Sequence, residues 1–229
     1  MSIFAALNVY HDLAPRSAAM NMAIDQALLE SASAPSIRFY RWESPALSFG
    51  YFGRFADVAD KASERDLVRR WTGGGIVFHG EDLTYSVVIP ASDPVFAESS
   101  MSIYENVHRA LRKALVANGQ SAELALAASV VDAGTEIVDR GYNCFANPVR
   151  ADVMIGSRKV AGAAQRRTRA GLLQQGSVQY VDLGNDLAER FAQALSEARC
   201  EKSLNKSLIE RAQKIAEQKY GTDSWLRRR

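Results

Sequence analysis

A glycine triplet, Gly73-Gly74-Gly75, stands between the paired arginines Arg69 and Arg70 and a histidine, His79. Three glycines in a row cost backbone entropy and give a core no side chains. A chain keeps such a run where the backbone takes positive φ or lies directly against something else. Apolar residues follow at once, first Ile76, Val77 and Phe78, then Val87, Val88 and Ile89 within residues 83–90. The glycines therefore join strands, either as a plain hairpin turn or as a loop whose amides face a ligand. The flanking arginines and His79 favour the ligand-facing loop. His79 itself reads as a base, a ligand anchor or a polar strand end.

Cys144 and Lys159 form a second candidate pair. Cys144 falls in the turn-forming segment Gly141-Tyr142-Asn143-Cys144-Phe145-Ala146-Asn147-Pro148, and Lys159 opens the return strand of the hairpin that follows. A nearby ammonium lowers a thiol pKa and exposes the thiolate, which is the reactive form. The small residues Ala161, Gly162, Ala163 and Ala164 keep bulk away from Lys159. The bland alternative is a core cysteine beside a solvated lysine. Cys200 lies between charged residues near an expected helix end and reads as inert. His108 is expected on the polar side of its helix, and His11 has no setting of interest. Neither cysteine has metal-ligand spacing, which argues against zinc and against a disulfide scaffold. The nucleophile elbow, the dinucleotide fingerprint and the phosphate loop are all missing. Arg166, Arg167 and Arg169, with Arg227, Arg228 and Arg229, read as solvated surface or as a landing patch for an acidic protein.

The elements that must position these residues follow from periodicity. A helix is expected over 17–33, strands over 36–55 broken at Pro45 and Gly50, and a short polar helix over 58–65. A long amphipathic helix spans 101–118, with Ile103, Val107, Leu111 and Leu115 on one face and Gly119 as its stop. Residues 122–141 read as a strand and a loop. The runs 151–155 and 158–167 make a hairpin around Gly156-Ser157, and 172–181 is a further strand. Helices over 186–196 and 206–220 follow. With no repeat or composition break, one domain over 1–229 is expected, α+β and too rich in hairpins for a doubly wound parallel sheet.

The chain has 229 residues, 47% of them hydrophobic, enough for one large core. A net charge of +2 argues against a dedicated nucleic-acid binder. No apolar run suggests a membrane span, and the N-terminus lacks a signal pattern, so a cytoplasmic protein is expected.

Taken in order, these segments resemble the biotin/lipoate A/B protein ligase family. The resemblance rests on Asn21-Met22-Ala23-Ile24-Asp25, on Arg38-Phe39-Tyr40-Arg41-Trp42, and on Pro45 to Tyr51. It continues through the glycine segment with Leu83-Thr84-Tyr85-Ser86, through Gly156-Ser157-Arg158-Lys159-Val160-Ala161-Gly162-Ala163-Ala164-Gln165-Arg166, and through Leu173-Gln174-Gln175-Gly176-Ser177. It implies a catalytic fold like that of biotin and lipoate ligases and class II aminoacyl-tRNA synthetases, a mixed, largely antiparallel sheet flanked by helices. Cys144-Phe145 with Pro148, and the His79-x-x-Asp82 pattern, are most similar to the cysteine-dependent octanoyltransferases. Gln175 stands where the family often has histidine, Gly75 where the transferases often have arginine, and Val149 where serine is usual. The accessory C-terminal domain of lipoate ligases is not expected.

The resemblance implies that Cys144 takes octanoate from acyl carrier protein and passes it to a lysine of a lipoyl-domain protein, such as glycine cleavage H protein or a 2-oxoacid dehydrogenase E2. Lys159 would activate the thiol and hold the acyl carbonyl. Amides near Gly162 and Ala163 would stabilise the oxyanion. Arg70, Thr72, Gly73, Gly74, Gly75, Ile76, His79, Tyr85, Ser86, Gly176 and Ser177 would line the acyl site. A thioester is already activated, so no cofactor is expected, and open surface for two protein partners suggests a monomer. Three rivals share the motifs: an ATP- and magnesium-dependent lipoate-protein ligase, an amidotransferase between lipoyl proteins, and a silent acyl or lipoyl-domain binder.

Overall fold

The computed structural model describes residues 2–126, 145 and 148–228. Strand β1 (Leu7–Arg16) leads to helix α1 (Ala18–Ser31), which starts where the Ser17 hydroxyl accepts from the Met20 amide. Strands β2 (Ser36–Trp42) and β3 (Ala46–Phe49) follow, then β4 (Asp66–Arg69), β5 (Val77–His79) and β6 (Leu83–Pro90). Helix α2 (Ser100–Ala117) is capped by Ser99 and ends before Gly119, whose φ of 83° is the left-handed stop expected there. Strands β7 (Ala122–Leu124), β8 (Val153–Ile155), β9 (Arg158–Arg167) and β10 (Gly171–Val178) precede helix α3 (Leu187–Leu195). Strand β11 (Arg199–Glu201), helix α4 (Lys206–Ile215) with a wider π turn to Tyr220, and helix α5 (Asp223–Leu226) complete the described chain.

Eight strands form one sheet in the order β11-β1-β2-β6-β10-β9-β8-β7, while β4, β3 and β5 form a smaller one. Among the described residues, only the β11–β1–β2 pairings are parallel in the large sheet. The result is the expected α+β arrangement. Helices α2 and α3 cover one face through Val107, Leu111 and Phe191, against Phe39, Tyr85 and Val87. Helices α1 and α4 cover the other through Met22, Leu28 and Ile215, against Tyr40, Val88 and Leu173. Both faces of β6 are therefore buried, which explains its unbroken apolar run.

Three expectations need correction. Residues 58–65 do not form an α-helix; short 3-10 turns occupy Phe55–Asp57 and Ala59–Lys61, because only Val58 there is buried and no apolar stripe exists to dock a helix. Cys200 lies on β11, an exposed edge strand, rather than near a helix end. His108 is fully buried, not on a polar face. Its imidazole fits there because both nitrogens are satisfied: Nδ1–H donates to the Ala151 carbonyl at 2.7 Å, and the Tyr85 hydroxyl donates to Nε2 at 3.2 Å.

Burial pulls His108 down to about 4, against the pull of the Ala151 carbonyl and Asp152. Its contribution to stability is therefore complete above the unfolded-state value near 6.5 and shrinks as pH falls toward 4. Between pH 7 and pH 5 the unfolded chain gains a proton that the native state refuses, which costs about 2 kcal/mol. Urea midpoints at the two pH values measure this, and His108→Gln should flatten the difference.

Candidate active site

The site begins with a backbone contact that only glycines allow. A Cβ on Gly50 would lie 2.0 Å from the Gly74 carbonyl oxygen, so the loop after β3 presses directly on the glycine run. Gly74 has φ of 83°. Arg70 fixes the rest of the run, donating to the carbonyls of Gly73 at 3.0 Å and Gly75 at 2.8 Å.

Arg70 also donates to Ser48 Oγ at 2.7 Å, which leaves the serine hydroxyl to donate to His79 Nε2 at 2.7 Å. His79 Nδ1–H then donates to Asp82 at 2.8 Å. Burial lowers the His79 pKa more than Asp82 raises it, so the imidazole is neutral. Asp82 is ionised, held down to about 2: its burial is outweighed by His79 and by donated bonds from Thr84 and Ser177. Trp42 stacks on His79 with ring centres 4.2 Å apart and donates its indole N–H to Thr84.

These groups wall a narrow, partly enclosed cavity. Met22, Tyr40, Trp42, Val77 and Ala164 supply apolar surface, and Arg70, His79, Gly162, Ala163, Gly176 and Ser177 also line it. Because the polar wall groups bind one another, an alkyl chain can enter without stranding a donor or acceptor.

At one side of the cavity, Lys159 is nearly buried and pairs with Asp152 at 2.7 Å. Tyr104 donates to the other Asp152 oxygen at 2.5 Å, and the Val149 amide donates to the carboxylate at 2.7 Å. A Cβ on Gly162 would meet Lys159 Nζ at 2.7 Å, so glycine at that position lets the ammonium lie against the cavity-lining backbone. Phe145 lines the cavity as well, with the Lys159 ammonium 5.6 Å from its ring centre. Cys144, bonded to Phe145 in the chain, lies outside the described residues.

Other sequence-derived candidates sit behind this wall. Thr72 donates to Gln175 at 2.9 Å, and Ser86 donates to Asp25 at 2.7 Å. Tyr85 turns to the opposite face of the sheet, where its ring fills the space beside Gly176. Ile76 packs against the small Leu47–Phe49–Val58 cluster. Gly73 and Gly74 line a second, shallower recess, with Ser100, Tyr104 and Ala163. The Ala163 amide donates to Tyr104 at 3.2 Å, so that donor is already engaged rather than reserved for an oxyanion. Asp152, Tyr104 and Ser48 are not among the candidates read from the sequence, whereas Asp82 enters there in the His79-x-x-Asp82 pattern. For Asp82 the i, i+3 spacing to His79 was the available signal; Asp152 gave none, because its partner lies across a hairpin.

Residues 17–220 match the lipoyl protein ligase A/B catalytic domain family. The chain is 34% identical to octanoyltransferase LipM of Macrococcus caseolyticus over 206 residues, 86% of this chain and 74% of that protein. It is 36% identical to octanoyltransferase LipM of Oceanobacillus iheyensis, over 72% of this chain and 60% of the relative. For the Staphylococcus epidermidis protein of the same name, identity is 36% over 75% and 65%. The chain thus spans slightly under two thirds of those last two relatives. Among solved structures, Ta0514 of T. acidophilum with bound lipoic acid superposes with a TM-score of 0.72 at 21% identity, covering 95% of this chain and 97% of that one. A lipoate-protein ligase A bound with ATP gives 0.70 at 21% identity, covering 96% and 97%. At that identity the likeness is one of fold.

Asp152→Asn removes the carboxylate from a buried ammonium, a loss of about 3–5 kcal/mol for a broken buried pair. Urea denaturation at pH 7 should show it, and a variant within 1 kcal/mol of the wild type would mean that solvent reaches Lys159.

Proposed function

The chain belongs to the lipoyl protein ligase A/B catalytic domain family, and within it we propose that the protein is an octanoyltransferase of protein lipoylation, working through a thioester on Cys144. One observation carries the reading most: Phe145, the chain neighbour of Cys144, faces both the Lys159 ammonium and an apolar slot whose polar wall groups are mutually satisfied. The LipM relatives support the activity. Acyl carrier protein is the proposed donor, and lipoyl-domain proteins, such as glycine cleavage H protein and 2-oxoacid dehydrogenase E2, are the proposed acceptors.

In the first half-reaction the Cys144 thiolate attacks the donor's thioester carbonyl. The carrier's thiolate departs and octanoate remains bonded to sulfur. The Lys159 ammonium, paired with Asp152, favours the attacking thiolate and the negative charge on the tetrahedral oxygen. In the second half-reaction the acceptor lysine's neutral amine attacks the acyl-cysteine, the C–S bond breaks, and an amide forms. The proton lost by the amine ends on the carrier's thiol, so nothing else is consumed. The chemistry calls for neither a metal nor ATP, because the incoming thioester is already activated.

Incubated with octanoyl-carrier protein and without ATP, the wild type should gain one octanoyl mass on Cys144. Cys144→Ala should abolish transfer, and Cys200→Ala should leave it intact. Full transfer by Cys144→Ala would sink the mechanism. Lys159→Ala should raise the Cys144 thiol pKa by about 1–3 units, read from alkylation rate against pH. Gly74→Val, at a positive-φ position, should distort the glycine run and block acylation. ATP with magnesium should leave the melting temperature unchanged; a clear rise, with ATP-dependent lipoylation by Cys144→Ala, would establish the ligase instead.

A further inference from the structure

The arginines that read as a surface patch are divided by the fold. Arg167 is tied down, donating to the Phe96 and Glu98 carbonyls. Arg166 and Arg228 instead join Lys219 on a cluster of aromatic rings. Arg166 lies 5.0 Å from the centre of Tyr51 and 5.3 Å from that of Trp71. The Lys219 ammonium is 4.3 Å from Trp71 and 4.4 Å from Trp225, and Arg228 covers Tyr51 and Trp225 at 4.1 and 4.9 Å.

These cations are short of anions. Buried Nε of Arg166 has no hydrogen-bond partner, and among the described residues neither Arg166 nor Arg228 makes an ion pair. Lys219 donates to the Gln26 amide oxygen rather than to a carboxylate. Burial, with Arg166 and Arg228 beside it and only Glu30 opposing, pulls Lys219 down to about 8. Glu30 is itself paired with Arg211. An aromatic floor holds three positive charges together although they repel, and such a surface attracts an external anion strongly.

The cluster adjoins the site. Trp71 lies between Arg70, on the cavity wall, and Gly73, on the second recess; Arg166 lies two residues along β9 from Ala164, which lines both. Next to the cations, Phe52 is 85% exposed, beside a recess that it shares with Arg227 and Arg228. An exposed aromatic anchor inside a basic rim suits a protein partner with an acidic face.

Resting on the transferase reading, we propose that Phe52, Arg166, Lys219 and Arg228 form the docking face for the acyl donor, an acidic carrier protein whose acyl arm is joined through a phosphodiester. Charge selects the donor over the acceptor: the acceptor delivers a lysine, which three unpaired cations at the approach repel, whereas an acidic surface and a phosphodiester are drawn in.

The test compares Arg166→Glu/Arg228→Glu with the wild type on two donors, octanoyl-carrier protein and octanoyl-N-acetylcysteamine, which has neither acidic face nor phosphate. Cys144 acylation is followed by quenched intact-mass measurement. The expected result is a KM for the carrier raised about tenfold or more, roughly one lost contact's worth of affinity, with the small thioester's rate within about twofold. Raising salt should weaken only the carrier reaction of the wild type. A carrier KM within about twofold of wild type overturns the proposal, as does a parallel loss with both donors, which would mark the cluster as structural. If the wild type is acylated by neither donor, the transferase reading fails by itself. Carrier binding measured by calorimetry then decides the face: binding lost in the charge-reversed variant supports it, and no binding by the wild type overturns it.

Discussion

A guanidinium with no exposure sits at the centre of this fold, and much of the site depends on it. Arg38 projects from β2 into the layer beneath α1, where a lone charge would cost far more than any contact could return. It donates to Asp12, to Asp25, and to both the backbone and side-chain oxygens of Asn21. Two carboxylates, a side-chain amide and a peptide carbonyl satisfy its five donors, and together they fix α1 on the sheet. Asp25 carries the order further. Besides Arg38 it accepts from Ser86 and from the Gln175 amide at 2.7 Å, and Gln175 in turn accepts from Thr72. The glycine run thus begins at a residue anchored, through one glutamine, to the buried charge pair. Gln175 bridges a donor and an acceptor at once through its two-ended amide.

From that anchor the cavity is assembled by close approach and by mutual satisfaction of polar groups. Gly50 against Gly74, Gly162 against Lys159 and Gly176 against Tyr85 are places around it where a methyl group would collide. The Asp82–His79–Ser48–Arg70 series runs from an ionised carboxylate to a guanidinium through a neutral imidazole and a hydroxyl. Each member has its partner fixed, so the polar part of the wall can meet an apolar visitor. Lys159 and Asp152 add a buried charged pair at one side of the cavity.

Local signals were legible in the sequence, and long-range ones were not. Gly119 as a stop and the hairpin around Gly156-Ser157 involve neighbours in the chain, and both form as expected. His79, Lys159 and Gly162 could be picked out because their segments are distinctive. Tyr85 and Ser86 could not be assigned to a face, because β6 is buried on both sides and its apolar run hides the alternation. The partners of Lys159 and His108 come from the turn at 151–152, where Ala151 has φ of 66°; nothing in the composition of that turn shows what it will face. Those pairings belong to tertiary geometry.

The two arginines before the glycines show how the docking face and the cavity are coupled. Arg70 turns inward, to Ser48 and the glycine carbonyls. Its neighbour Arg69 turns the other way and is equally buried. Arg69 donates only to carbonyls, those of Tyr51, Gly53, Trp225, Leu226 and Arg228, and Trp225 returns its indole N–H to the Arg69 carbonyl. Five aligned carbonyl dipoles take the place of a carboxylate, and they bring α5 and the residues after it against the loop that carries Tyr51 and Phe52. Strand alternation thus places adjacent side chains in two different jobs, one holding the aromatic and basic surface and the other holding the glycine run. The aromatic and basic surface and the cavity wall are thus held by residues one peptide unit apart.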